Sequence, residues 1–171
     1  MMEKRCKVTF MGGRQVGCIG LLTLLSAKCE IIGAVAYDSA VKMIAEKLNL
    51  LIFSSIKEDK FIELLHASDV LVSVHGREIV PPEWLEFPSK GCINVHPCLY
   101  KYRGANPIER LLRDGVTKAS VGVHYMSDKI DSGEVIVEKF IDVSGKKTVE
   151  EIYNELYPYY ILAILEAIAK I

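Results

Sequence analysis

Asn94-Val95-His96-Pro97 is a short stretch that places two groups capable of polar chemistry at one point. Residues two apart on a strand point to the same side, so Asn94 and His96 would face together. An amide donor and an imidazole aimed at one place make an oxyanion site suited to acyl transfer. Pro97 stops the strand, and the carboxyl ends of strands are where open α/β sheets bind ligands. An asparagine and a histidine that merely end a strand and cap its neighbours account for the same residues, so this spacing leaves both readings open.

A second cluster follows in His124-Tyr-Met-Ser-Asp-Lys-Ile-Asp131-Ser-Gly133. Asp128 and Asp131 are both available there. A carboxylate close to His96 would favour its charged form and could relay protons, although an acidic loop in solvent is the plainer account. A third candidate is the glycine turn Gly12-Gly13-Arg14-Gln15-Val16-Gly17, whose backbone N–H groups could hold a phosphate at the start of a helix. It departs from the G-x-G-x-x-G spacing, and only Asp38 stands where an acidic ribose ligand would, so a tight strand-to-helix turn explains it as well. Lys101, Arg103, Arg110 and Arg113 surround a loop containing Gly104 and could meet an anionic substrate or form a solvated basic face. His75, His96, His124 and Asp131 lack the spacing of a compact metal motif, and no metal is expected.

These residues need a scaffold, and the hydrophobic pattern supplies one. Strands are expected over Cys6–Met11, Glu30–Tyr37, Leu51–Phe53, Asp69–Val74, Gly91–His96, Ser120–Met126 and Glu134–Val143. Helices are expected over Val16–Ala27, Ser39–Leu48, Glu58–His66 and Pro107–Arg113, the last with proline in its first turn. Thr148-Val-Glu-Glu151 has capping-box spacing and opens a helix running to Ile171, which Pro158 should bend or restart. Pro81-Pro82 begins a turn or short helix around Trp84. The alternation predicts an α/β fold with a Rossmann-like, mostly parallel sheet and helices on both faces. No domain boundary is visible, so residues 1–171 read as a single domain.

The 171-residue chain carries a formal net charge of −1 and is 50% hydrophobic, which permits a sizeable core and gives no global reason to bind nucleic acid. Its five cysteines are odd in number and irregularly spaced, without a C-x-x-C pair, so reduced thiols are expected rather than a disulfide framework. The charged start Met1–Lys4 is followed by too short an apolar run for a signal segment, and no stretch approaches a membrane span. A cytoplasmic protein acting on small molecules is the expectation; the oligomeric state cannot be read.

GCINVHP (Gly91 to Pro97), YRGANPI (Tyr102 to Ile108) and SVGVHYMSDKIDSGEVI (Ser120 to Ile136) together resemble the 10-formyltetrahydrofolate-dependent formyltransferase family. The resemblance implies a formyltransferase fold, 10-formyltetrahydrofolate as formyl donor, and Asn94, His96 and Asp131 as catalytic residues. It also implies that the pterin lies along Tyr125, Met126, Ser127, Asp128 and Ile130, with Val74, Gly76, Ile79 and Val80 on its other side. Gly12, Gly13, Arg103 and Gly104 are the expected substrate contacts. The run N-V-H-P-C-L-Y-K-Y-R-G is one residue shorter than the family's and lacks its second proline, so the acceptor loop differs. The Gly-Ser-Asn phosphate turn of the glycinamide ribonucleotide enzymes is missing, and the C-terminal domain of the methionyl-tRNA enzymes is not expected, because about 35 residues follow Ile136. The implied acceptor is an amine, with a small nucleotide-linked amine such as an amino sugar nucleotide preferred and methionyl-tRNA still open. A formyltetrahydrofolate hydrolase and a catalytically idle folate- or nucleotide-binding module are the alternatives.

Overall fold

The computed structural model describes residues 5–171, so the charged start Met1–Lys4 lies outside the described residues. The chain forms two compact units, one ending at Ile93 and one running Asn94–Ile171.

In the first unit, β1 (Lys7–Gly12), β2 (Glu30–Ala36), β3 (Ile52–Phe53) and β4 (Val70–Val74) alternate with α1 (Arg14–Ser26), α2 (Ser39–Lys47) and α3 (Asp59–Ala67). The strands pair in parallel in the order β3-β2-β1-β4. Every residue of β4 is buried, as expected of a parallel strand covered on both faces. Val8, Phe10, Leu21, Leu24 and Phe61 are fully sequestered, and each such side chain contributes roughly 1.5–3 kcal/mol of burial free energy. α1 lies close against β4 because Gly20 has no side chain: a Cβ there would meet the Val74 methyl at 2.6 Å. The expected turn near Trp84 is a 3-10 turn, Pro82–Trp84.

β5 (Cys92–Pro97) spans the boundary. The second unit continues with α4 (Pro107–Arg113), β6 (Lys118–Tyr125), β7 (Val135–Asp142) and α5 (Val149–Lys170), and its strand order is β5-β6-β7. β6 and β7 are antiparallel, with a register shift between Val123 and His124. The α/β arrangement is thus Rossmann-like and mostly parallel. Ala119 to His124 along β6 are all buried. α5 packs on this strand, and the Leu99 side chain fills the space that a Cβ on Gly122 would need.

α5 starts with the capping box, Thr148 and Glu151 each satisfying the other's backbone N–H. Its buried residues Ile152, Leu156, Tyr160, Ala163, Ile164 and Ala167 recur at helical spacing. Of the bend or restart expected at Pro158, the restart does not occur, and one helix runs through it. The carbonyl left without a donor is that of Asn154, four residues earlier. Asn154 and Pro158 both lie on the exposed face, where water can satisfy that carbonyl. Among the described residues, no helix is long and apolar enough to cross a membrane.

Candidate active site

β5 carries Asn94 and His96 on one side, as its two-residue period requires. The antiparallel hairpin of β6 and β7 carries Asp131 on the loop that joins them. The structure brings these three residues together around the Asp131 carboxylate. Asn94 Nδ2 donates to Asp131 Oδ1 at 3.1 Å. His96 Nε2 lies 3.0 Å from Asp131 Oδ2. The Gly104 N–H donates to the same oxygen at 2.8 Å. His124 Nε2 stands 3.3 Å from Oδ1, but without hydrogen-bond alignment, so this buried nitrogen lies against the carboxylate without a hydrogen bond.

Asp131 adopts a left-handed backbone, φ 50°, which aspartate tolerates better than most residues. Its side chain is 8% exposed. Burial by itself would raise its pKa, but His124, His96 and the Gly104 N–H outweigh that effect and hold the carboxyl well below the usual carboxylate range. Asp131 is therefore an anion at neutral pH. Asp128, the other acidic candidate, is exposed.

Both nitrogens of His96 face oxygen acceptors. Nδ1 is 2.8 Å from the Pro97 carbonyl, and Nε2 is 3.0 Å from the Gly104 carbonyl as well as from Asp131. Only a ring carrying both protons satisfies acceptors on both sides, so the surroundings suit an imidazolium. Gly104 thus serves the site twice through its backbone, at φ 79°, a conformation that favours glycine. The sequence placed Gly104 among substrate contacts and gave no sign of this role.

The basic residues separate. Arg110 donates to the carbonyls of Arg103 at 2.7 Å and Ala105 at 3.4 Å, clamping the loop after β5. Arg113 pairs with Asp114 at 3.1 Å. Arg103 is exposed and reaches Ser132 Oγ at 3.5 Å, on the loop that bears Asp131. In that loop Tyr125, Met126 and Ser127 are partly buried and Asp128 is exposed, while Ile130 is 63% exposed.

The remaining candidates lie in the first unit. Val74 ends β4, and Gly76 packs beneath Met11 and Ser73. Ile79 is 73% exposed and Val80 is buried. Between them and β4, Glu78 is held by Tyr37 Oη at 2.8 Å, Ser55 Oγ at 2.6 Å and the Ile56 N–H at 3.1 Å. No motif marked Glu78, and its anchoring of this loop depends on segments far apart in the chain. At the glycine turn, Gly13 donates to the Val74 carbonyl at 3.2 Å. The Asp38 carboxylate accepts from the Arg14 N–H and caps α2 through Val41 N–H at 3.1 Å. A carboxylate of the chain itself therefore sits at the helix start where a phosphate was considered.

A family model described as Formyl transferase matches residues 24–167. The methionyl-tRNA formyltransferase of Syntrophomonas wolfei subsp. wolfei is 32% identical over 154 residues, covering 80% of this chain and 49% of that protein. The one from Clostridioides difficile is 30% identical over 167 residues, covering 88% and 54%. The chain spans about half the length of these curated relatives. Among solved structures, phosphoribosylglycinamide formyltransferase from Anaplasma phagocytophilum superposes with a TM-score of 0.83 at 18% identity, covering 96% of this chain and 85% of that one. A formyltetrahydrofolate deformylase from Pseudomonas syringae pv. tomato gives 0.80 at 19% identity, covering 96% and 60%. At such identities the structural likeness speaks for the fold alone.

Proposed function

The chain belongs to the formyl transferase family, and from that premise we propose that it moves a formyl group from 10-formyltetrahydrofolate, the family's donor, onto an amine. The observation that carries this reading is the buried Asp131 carboxylate with Asn94, His96 and the Gly104 N–H directed at it.

The roles follow from donors and acceptors. Asn94 gives one amide N–H to Asp131 and keeps a second. That N–H supplies a donor for charge that develops on the formyl oxygen as the amine nitrogen attacks its carbon, and His96, its own N–H groups engaged by Pro97, Gly104 and Asp131, supports that charge electrostatically rather than by a further hydrogen bond. Asp131 keeps His96 protonated and receives the proton the amine loses, directly or through one water. The exposed Ile79 and Ile130 each offer an apolar surface for a flat ring, within their own units. Gly12, Gly13 and Arg103 are retained as acceptor contacts, the first two with Asp38 already at the turn. The acceptor is a nucleotide-linked amine or methionyl-tRNA, the latter named by the curated relatives.

The test supplies 10-formyltetrahydrofolate with methionyl-tRNA, an amino sugar nucleotide and simple amines, and follows tetrahydrofolate and formate. Tetrahydrofolate formed only with an amine present supports transfer. Formate released without acceptor would instead make the chain a hydrolase. Donor binding without turnover across the panel would make it a binding module.

A further inference from the structure

β1 and β2 run parallel with Lys7 opposite Glu30. One residue earlier on each stand Cys6 and Cys29, and the Glu30 N–H donates to the Cys6 carbonyl at 2.9 Å. Neighbouring strands lie about 4.8 Å apart, within the roughly 4.4–6.8 Å between Cα atoms that a disulfide requires. Residues level with each other on parallel strands point to the same side, so the two thiols face each other closely enough to act on one another's ionisation. Both are free thiols, Cys29 buried and Cys6 partly exposed.

The pair is electrically asymmetric. The neighbouring Cys29 thiol pulls the Cys6 thiol below its ordinary range, with help from the Lys90 charge and against burial and Asp69. The nearness of Cys6, together with burial, pushes Cys29 upward. The other cysteines lack this arrangement: burial pushes Cys92 up to about 12 and Cys98 up to about 11, and it raises Cys18 as well. An accessible sulfur with thiolate character thus stands against a buried, protonated one, which is the disposition of an attacking and a resolving cysteine.

We propose that Cys6 and Cys29 form an oxidation site that hydrogen peroxide converts to a disulfide, with Cys6 attacking and Cys29 resolving. The Cys6 thiolate attacks one peroxide oxygen, the O–O bond breaks, and the departing hydroxide takes a proton to become water. The Cys29 sulfur then attacks the Cys6 sulfenic sulfur. The S–S bond forms, the S–O bond breaks, and the Cys29 proton leaves with the second water. Two thiols are oxidised by two electrons, one peroxide is reduced, and an added dithiol reverses the change.

Mass spectrometry of the reduced full chain, treated with stoichiometric hydrogen peroxide and digested without reductant, tests this. The expected product is a cross-linked peptide pair containing Cys6 and Cys29, reverted by dithiothreitol, with Cys18, Cys92 and Cys98 still open to alkylation after unfolding. In Cys29→Ser, sulfenic acid should build up on Cys6 and be trapped by dimedone. A wild-type chain whose Cys6 ends as sulfenic or sulfinic acid without a cross-link would overturn the proposal, as would a disulfide to any other cysteine. Should Cys29→Ser fail to fold, the wild-type peptide map decides alone.

Discussion

Asp131→Asn is the sharpest perturbation of the candidate site, because it keeps the shape of the side chain and removes its charge. Each carboxylate oxygen of Asp131 faces two groups: Oδ1 faces Asn94 Nδ2 and His124 Nε2, and Oδ2 faces the Gly104 N–H and His96 Nε2. An amide has one oxygen and one NH₂. Whichever way it turns, its NH₂ points at a pair of nitrogens where the carboxylate presented an acceptor. Hydrogen bonds to a charged group are worth about 1.5–3 kcal/mol each, and leaving a buried charge without its partner costs about 3–5 kcal/mol. The variant should therefore lose on the order of 2–4 kcal/mol of stability at neutral pH. The catalytic loss is separate. General acid–base groups contribute about 10²–10⁴ in rate, or about 2.7–5.4 kcal/mol at 1.36 kcal/mol per factor of ten. Steady-state formation of tetrahydrofolate from 10-formyltetrahydrofolate and an accepted amine, beside a urea titration of the same preparation, measures both. A folded Asp131→Asn protein with kcat within a few-fold of wild type would refute the role given to this carboxylate.

The other predictions concern the parts that hold the site. An alanine at Gly133 would overlap the Tyr125 carbonyl oxygen, which is backbone and cannot swing aside. Gly133→Ala should thus shift the loop bearing Asp131 and lower kcat at least tenfold, and unchanged kinetics in the folded variant would count against it. Asp38→Ser keeps a side chain able to cap α2 while freeing the Arg14 N–H, so inorganic phosphate should associate more strongly with the variant than with the wild type by ³¹P NMR. An Asp38→Ser protein that ignores phosphate would show that the carboxylate is not what fills this turn. Asp131 has a depressed pKa in the folded chain, so its stabilisation is full above the ordinary carboxylate pKa of about 4 and is lost as pH falls through the lower folded value. The difference in urea midpoint between wild type and Asp131→Asn should accordingly be widest near neutrality and shrink below about pH 4; a gap that grew on acidification would contradict that sign.

Local pattern made most of the scaffold legible. The period of apolar residues located each strand and helix to within a few positions, and Pro107 and Thr148 marked helix starts through chemistry confined to one turn. What escaped depended on distant partners. The strand expected over Ser120 to Met126 is β6, but nothing local in it shows that α5 and Leu99 pack against it and that Ala119 to His124 are all buried. Pro158 forbids a hydrogen bond in any helix, but whether that stops the helix depends on which face the orphaned carbonyl occupies. Arg110 was offered as a greeter of anions, yet it is engaged with the carbonyls of Arg103 and Ala105, a use that residue type alone cannot disclose.

The same distinction governs the site. Asn94 and His96 could be paired from their spacing, because a strand fixes which side each faces. Asp131 could not be chosen over Asp128 by any local rule; burial separates them, and burial comes from where the loop is pinned. The pin is visible in the register shift between Val123 and His124. The residue skipped there is Ile136, so the extra residue and its bend lie on β7, and opposite it on β6 His124 stands against Asp131 Oδ1 while its Nδ1 lies 2.7 Å from the Tyr125 carbonyl. Gly104 completes the enclosure from the other loop through an N–H and a carbonyl, groups that every non-proline residue possesses and no motif can single out. Asn94 and His96 were thus within reach of spacing and Asp131 only of the family resemblance, whereas the backbone and the second histidine that make Asp131 a buried anion appear only when the hairpin closes on β5.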